Sequence, residues 1–432
     1  MIDLLRSARW LALAGMFTFA GALPGCAVDE DPVDDESMDD GTGASVDPIT
    51  EVTHTKVKRQ SIGNCWLYAT ASWVEALHRR ATDREIDVSE TYLTYWDWFD
   101  KIANGSTVDE ISTGGSFGTA AELINRYGLT LEKDFVASEE GKDMSDVQKK
   151  AEAAINASLK TGALRTAKAR RTRSVVRAEL DKAFGLAPAV IAQLDAVFGK
   201  SVTKTVDKSW AQKPLPAGST LFRAKDLLVS LPNPQTHASE IKTLQDAIGK
   251  KSGWSRAGAS AWNEVDYGTT ASSRRSFLAR VQRALHDGQP VIISWFVDFN
   301  ALTSDAKFSK AQLDKLGVGS QGGHMTVLSD YEIEGVPGFG TLKAGTKVTD
   351  PKALEAALSP NATITFLRIK NSWGSFRPDR WKDAVLPGYH DLMMDYLNGP
   401  VQKCGETPAG ATDKTKCSPH TPLWDVVLPA GY

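Results

Sequence analysis

Three short stretches of this chain hold side chains that could do chemistry together. The first reads Gln60-Ser61-Ile62-Gly63-Asn64-Cys65-Trp66, after which Leu67, Ala71, Val74 and Leu77 recur at helical spacing, so Cys65 opens a helix. At that position the open N–H groups and the positive end of the dipole favour a thiolate, the nucleophilic form of a thiol whose ordinary pKa is about 8.5. The second stretch, Gly322-Gly323-His324-Met325-Thr326-Val327, sets His324 at the entrance of a β-branched run, where an imidazole could pair with the thiolate. In the third, the strand pattern Ile364–Lys370 ends in Asn371-Ser372-Trp373-Gly374, and the Asn371 amide could orient that imidazole. The other six histidines, His54, His78, His237, His286, His390 and His420, lie in polar or helix-surface contexts.

Cysteine usage sharpens the first reading. Arg6 and Arg9 precede the apolar run Trp10–Leu23, which ends in Pro24-Gly25-Cys26, the layout of an export signal. Residues 27–40 contain eight Asp or Glu in fourteen and cannot form a core, which suits a solvated tether. In an oxidising exterior Cys404 and Cys417, in a Gly/Pro/Thr-rich stretch, are expected to form a small-loop disulfide. Cys65 is then the odd cysteine that needs a reason. Simple secretion and a lipid-modified Cys26 are both open on the residues alone, although the run is shorter than the ~20 apolar residues of a membrane span.

The bulk numbers exclude little else. At 432 residues, 42% hydrophobic and 24% charged, the chain can bury a large core. A net charge of -3 offers no basic field for nucleic acid, which is not expected as a partner. Neither a metal site nor a phosphate loop is visible, so no cofactor is expected. The segment from Met144 to about Lys200 has helical periodicity and a basic run, Lys160, Arg165, Lys168, Arg170, Arg171, Arg173 and Arg177, expected to form a solvated helix face, with an oligomer contact as one alternative.

Gln60, Cys65-Trp66, Gly323-His324 and Asn371-Ser372-Trp373-Gly374, in that order, resemble the papain family of cysteine peptidases. The 258 residues between Cys65 and His324 exceed the compact members. Ser89-Glu90-Thr91-Tyr92-Leu93-Thr94-Tyr95-Trp96-Asp97, Gly114-Gly115-Ser116-Phe117 and His286-Asp287-Gly288-Gln289-Pro290-Val291 are similar to segments of the bleomycin hydrolase and aminopeptidase C branch. Cys26 after a small residue similarly resembles the lipobox of bacterial lipoproteins, which implies a lipid anchor on Cys26.

The resemblance implies an α+β, two-lobed peptidase with a helical lobe and a β-rich lobe. Residues 1–25 would be the signal, 26–50 the tether and 51–432 the peptidase, enlarged by a helical insertion at about 144–260. It implies Cys65 as nucleophile, His324 as its acid–base partner, Asn371 as the ring's orienter and Gln60 as oxyanion donor, although four residues separate Gln60 from Cys65, one fewer than the family pattern. Gly114 and Gly115 would line the substrate cleft with Trp373, which would also shield the Asn371–His324 bond. The branch further implies an aminopeptidase or oligopeptidase whose cleft is restricted by the chain's own C-terminus, here Val426–Tyr432. A retooled papain-fold lipoprotein that binds peptide or cell-wall material, and an acyl transferase using the same residues, are the alternatives. The expected partners are a peptide or protein substrate and the membrane.

Overall fold

In the computed structural model the described residues are 49, 52–252, 255–375, 382–384, 386–406 and 411–432. The signal, the lipid-anchor cysteine Cys26 and the acidic tether lie outside them. Among the described residues no helix is long and apolar enough to cross a membrane.

The first half of the chain is helical. Helix α1 (Cys65–Thr82) carries apolar residues around most of its surface and is enclosed accordingly, with Cys65, Trp66, Leu67, Trp73, Val74 and Leu77 all buried. Helix α2 (Glu90–Ala103) starts at Ser89, whose hydroxyl accepts from Tyr92 N–H, and α3 (Phe117–Tyr127) starts at Ser116, which accepts from Thr119 N–H. Both caps follow from serine's ability to satisfy the N–H groups that a first helical turn leaves open.

The helices Asp146–Lys160, Arg173–Ala183 and Pro188–Phe198 add a further layer. Their Ile155, Leu159, Val176, Leu180, Leu194 and Phe198 join the same core as α1–α3, so the 144–260 region thickens the helical half from within its packing. Two hairpins follow, β1–β2 (Leu228–Pro232 and Ser239–Thr243) and β3–β4 (Lys250–Ser252 and Ser255–Ala257). The basic run is not uniformly solvated. Arg177 is buried against the rings of Tyr95 and Trp96 and pairs with Asp181 at 2.9 Å and Asp195 at 3.6 Å, because its helix turns that face inward onto α2.

The second half is an eight-stranded sheet built from β5 (Asn263–Asp266), β6 (Val291–Asp298), β7 (Lys307–Phe308), β8 (Gln321–Val336), β9 (Gly340–Leu342), β10 (Thr363–Lys370), β11 (Tyr389–Met393) and β14 (Leu423–Leu428). The order is β5-β14-β6-β8-β10-β11-β7, with β9 against β8, and only β11–β7 is parallel. A separate hairpin, β12 (Val401–Glu406) and β13 (Thr412–His420), is closed by the Cys404–Cys417 disulfide. Strand alternation divides the sheet residues between two cores. Ile292, Met325, Val327 and Val427 face the helical half, whereas Ile293, Trp295, Leu328 and Val426 face the sheet's own core with the helix Ala271–His286. The α+β class and its two halves are those expected from the sequence.

Ahead of α1, residues 52–60 form a strap between the halves. His54 Nε2 lies 3.1 Å from Leu328 O, and burial pushes its pKa down to about 3, helped by Lys370 and opposed by the Leu328 bond. The folded chain therefore keeps His54 neutral while the unfolded chain protonates near 6.5. This contribution is intact above pH 6.5 and is lost as the pH falls toward 3. His54→Gln is expected to flatten the fall of stability between pH 6 and pH 4, by up to about 1.4 kcal/mol per pH unit. Urea titrations at a series of pH values measure it; an unaltered slope would contradict the assignment.

Candidate active site

Cys65 is the first residue of α1, and the preceding Asn64 does not cap the helix with its side chain. Its amide nitrogen is instead donated to Thr94 Oγ1 and Gln148 Oε1, both at 2.9 Å, fastening the start of α1 to α2 and to the helix Asp146–Lys160. The first turn thus presents its N–H dipoles to the neighbourhood of the sulfur rather than to a side-chain oxygen. Cys65 is fully buried, and its Sγ accepts from Met325 N–H at 3.3 Å. That contact brings the β8 backbone next to His324 onto the sulfur.

Register explains the rest. Strand β10 ends at Lys370 opposite Val327, so the residues that follow run past the first part of β8 as the chain leaves the ladder. Asn371 Oδ1 accepts from His324 Nε2–H at 2.7 Å and from Ser372 N–H at 2.7 Å. Because an amide oxygen can only accept, the proton sits on Nε2 of His324. His324 Nδ1 is left buried without a hydrogen-bond partner. Trp373 stacks on the imidazole, ring centroids 4.6 Å apart and 15° from parallel, while Trp295 approaches it edge-on. Burial lowers the His324 pKa to about 4, against the raising effect of Asn371.

The segment before the nucleophile is sewn to the segment after Asn371. Gln60 N–H donates to Ser372 O at 2.8 Å, Gly374 N–H to Lys58 O at 3.2 Å, and Arg59 bridges Trp373. Gln60 Oε1 accepts from Ser372 Oγ at 2.7 Å and its Nε2 donates to Ile62 O at 3.0 Å, so one amide proton is directed into its own loop. Behind this ladder Lys58 Nζ pairs with Glu90, Asp87 and Glu75 at 2.9, 2.6 and 3.5 Å. Burial opposes the Lys58 charge, but Glu75, Glu90, Asp87 and Glu132 hold its ammonium well above the ordinary lysine range. Burial likewise carries Glu90 up to about 7 in spite of Lys58.

One expectation, concerning the C-terminus, requires correction. Val426, Val427 and Leu428 belong to β14, between β5 and β6, and Tyr432 is fixed by Asp287 Oδ2 at 2.5 Å and by Arg280. Asp287 adjoins Gly288, which packs on Arg80 near the far end of α1, about 22 Å along the helix from Cys65. Apolar alternation draws this segment into the sheet, so it is no arm across the cleft.

Gly114 and Gly115 lie against Trp66, the residue after the nucleophile. Trp66 Nε1 donates to Thr113 O at 2.8 Å, and Lys101 Nζ donates to Ser112 O, Gly114 O and Asp97 Oδ2, each at 2.7 Å. A Cβ on Gly115 would come within 2.4 Å of the Trp66 ring, which is why the chain has glycine there. Trp373 is 2% exposed, a cover for His324 more than an open cleft wall. His390, set aside in the sequence for its polar surroundings, is buried at this site, and Asn371 Nδ2 donates to its Nδ1 at 3.3 Å. Only strand pairing reveals it, since β11 sets His390 opposite Ile369, two residues before Asn371.

Gly115→Ala is expected to cost about 1–3 kcal/mol through overpacking against Trp66. Denaturant midpoints measure the loss, and a neutral result would mean that the loop yields without displacing the indole.

No protein-family description matches the chain, nor does any curated protein. Solved structures that it resembles include PepW from Lactobacillus rhamnosis HN001, at 13% identity and a TM-score of 0.43, covering 88% of this chain and 81% of that one. Xylellain, a cysteine protease from Xylella fastidiosa, matches at 12% identity and 0.33, over 88% and 85% of the two chains. The Carica candamarcensis cysteine protease CMS1MS2, solved with E-64, matches at 12% and 0.28, over 87% and 92%.

Proposed function

We propose that the chain is a cysteine-type peptidase. The observation that carries this reading is the join of two halves at one point: Met325 N–H on Cys65 Sγ, with the adjacent His324 held through Nε2 by Asn371 and covered by Trp373. In the proposed cycle the Cys65 thiolate attacks the scissile carbonyl carbon, and the oxyanion is met by the Cys65 N–H at the start of α1 and by the Gln60 amide. His324, protonated through Nδ1 in the ion pair, gives that proton to the departing amine as the C–N bond breaks. The thioester is cleared when His324 takes a proton from water, whose oxygen attacks the acyl carbon and returns the sulfur as thiolate. Asn371 keeps the ring oriented, the task that a carboxylate performs in serine enzymes.

Burial alone would keep His324 neutral. The thiolate is the charge that makes the imidazolium favourable there, so the two ionise as a pair. An epoxide that alkylates activated thiolates is expected to modify Cys65 stoichiometrically. His324→Ala should abolish that labelling. Folded chain that leaves Cys65 unlabelled would sink the enzyme reading and favour a peptide- or cell-wall-binding protein, toward which the Ile62 contact of the Gln60 amide points. Gln60→Ala should lower the turnover by about 10²–10³ if the other amide proton serves the oxyanion.

The finer reading is an aminopeptidase or oligopeptidase, supported by the sequence segments shared with that branch. Since Val426–Leu428 is paired within the sheet and Tyr432 is tied to Asp287, this segment is not free to cross the cleft, and any restriction must come from elsewhere. Peptides with free and blocked N-termini decide it: cleavage that needs the free amine supports the aminopeptidase, and equal cleavage removes it. Added amine acceptors separate hydrolysis from acyl transfer. Export with a lipid on Cys26 completes the proposal, and Cys26→Ala should release the chain from the membrane fraction if that anchor exists.

A further inference from the structure

We infer that His390 is a positioning residue of this site, holding the Asn371 side chain so that its oxygen, and not its amide nitrogen, faces His324. The inference rests on the peptidase reading and deepens it.

Asn371 is 2% exposed, so each polar atom of its amide needs a protein partner. Its oxygen has two, the N–H groups of His324 and Ser372. Its nitrogen, on the opposite edge, donates to Nδ1 of His390. A flipped amide would set NH2 against two N–H donors and would turn its oxygen onto the lone pair of Nδ1. All three contacts therefore select one orientation, and the side chain of His390 is the one that selects it from the nitrogen's side.

The consequence passes through Asn371 to the nucleophile's partner. With Oδ1 accepting from Nε2–H, the His324 proton is fixed on the ring edge away from the sulfur, and Nδ1 keeps the lone pair that must receive the Cys65 proton. An amide free to rotate would present a donor to Nε2 for part of the time and stabilise the wrong tautomer. His390 can perform this only as a neutral ring protonated on Nε2. Its setting enforces neutrality, since burial first and the neighbouring His324 second press its pKa down to about 3. Trp373 meets its ring edge-on at 5.5 Å and Phe308 lies 6.1 Å away.

The test uses the full-length chain and iodoacetamide, whose reaction rate with Cys65 across pH reports the thiolate without requiring a peptide substrate. His390→Leu should lower the rate near neutral pH roughly tenfold, the equivalent of one buried hydrogen bond, and move the acidic limb of the profile upward. His390→Asn, which keeps an acceptor near the position of Nδ1, should recover most of both. In an Asn371→Ala background His390→Leu should add nothing, because the path it acts through is gone. If His390→Leu does not fold, His390→Gln, whose acceptor lies farther out, takes its place against His390→Asn. A reactive wild type with an unchanged profile in the variant, or an equal loss in the Asn371→Ala background, overturns this inference alone. A wild-type Cys65 with ordinary thiol reactivity overturns the peptidase reading and this inference with it.

Discussion

The arrangement depends on a three-residue backbone ladder, Lys58–Gln60 against Ser372–Gly374, that joins the approach to the nucleophile to the exit from β10. Cys65 belongs to a helix and Asn371 to the exit from a sheet strand, and over 300 residues of chain lie between them. Side-chain packing alone would let the two halves shift by fractions of an ångström, which a proton transfer does not tolerate. Backbone hydrogen bonds have narrower geometry. Here they act on the segments immediately beside the reacting groups.

Charge reinforces the same join. Lys58 crosses beneath the ladder to a set of carboxylates from α1 and the entry to α2, and Lys370, the last residue of β10, donates to Thr55 Oγ1 and Ser72 Oγ. The two lysines differ in fate. Lys58 has enough carboxylates around it to stay firmly protonated, whereas burial dominates at Lys370 and brings its pKa down to about 8. Removing one member of such a buried set leaves its partners uncompensated, so the cluster constrains how the halves meet even where its net stabilisation is small.

Sequence made the residues of the site legible because each marks a change of local structure. Cys65 begins a helical period, His324 follows a glycine pair at a strand entrance, and Asn371 ends a β-branched run. Those are one-dimensional signals, and periodicity reads them. His390 carries no such signal, since its burial comes from the register between β10 and β11, a long-range pairing that local composition does not encode. The C-terminal segment misled for a related reason. Val426-Val427-Leu428 has the composition of a strand, but only the position of its partners β5 and β6 excludes it from the cleft. Arg177 belongs with them: in a run of six other basic residues it reads as surface, and one of the two acids that pair with it, Asp195, comes from a different helix.

The unused cap at Asn64 follows the same physical logic. Asparagine is among the residues best suited to cap a helix, and a side-chain cap here would quiet the first-turn N–H groups next to the sulfur. The chain instead turns that amide to Thr94 and Gln148, so the residue that could have closed the helix end anchors it from behind. Stability supplied by the cap is replaced by stability from two buried hydrogen bonds, and the helix end keeps its field directed at Cys65. His390 does for the acid–base partner what Asn64 does for the nucleophile. Each satisfies a buried polar group on the side away from the chemistry, and each leaves one orientation available on the side where bonds are to be made and broken.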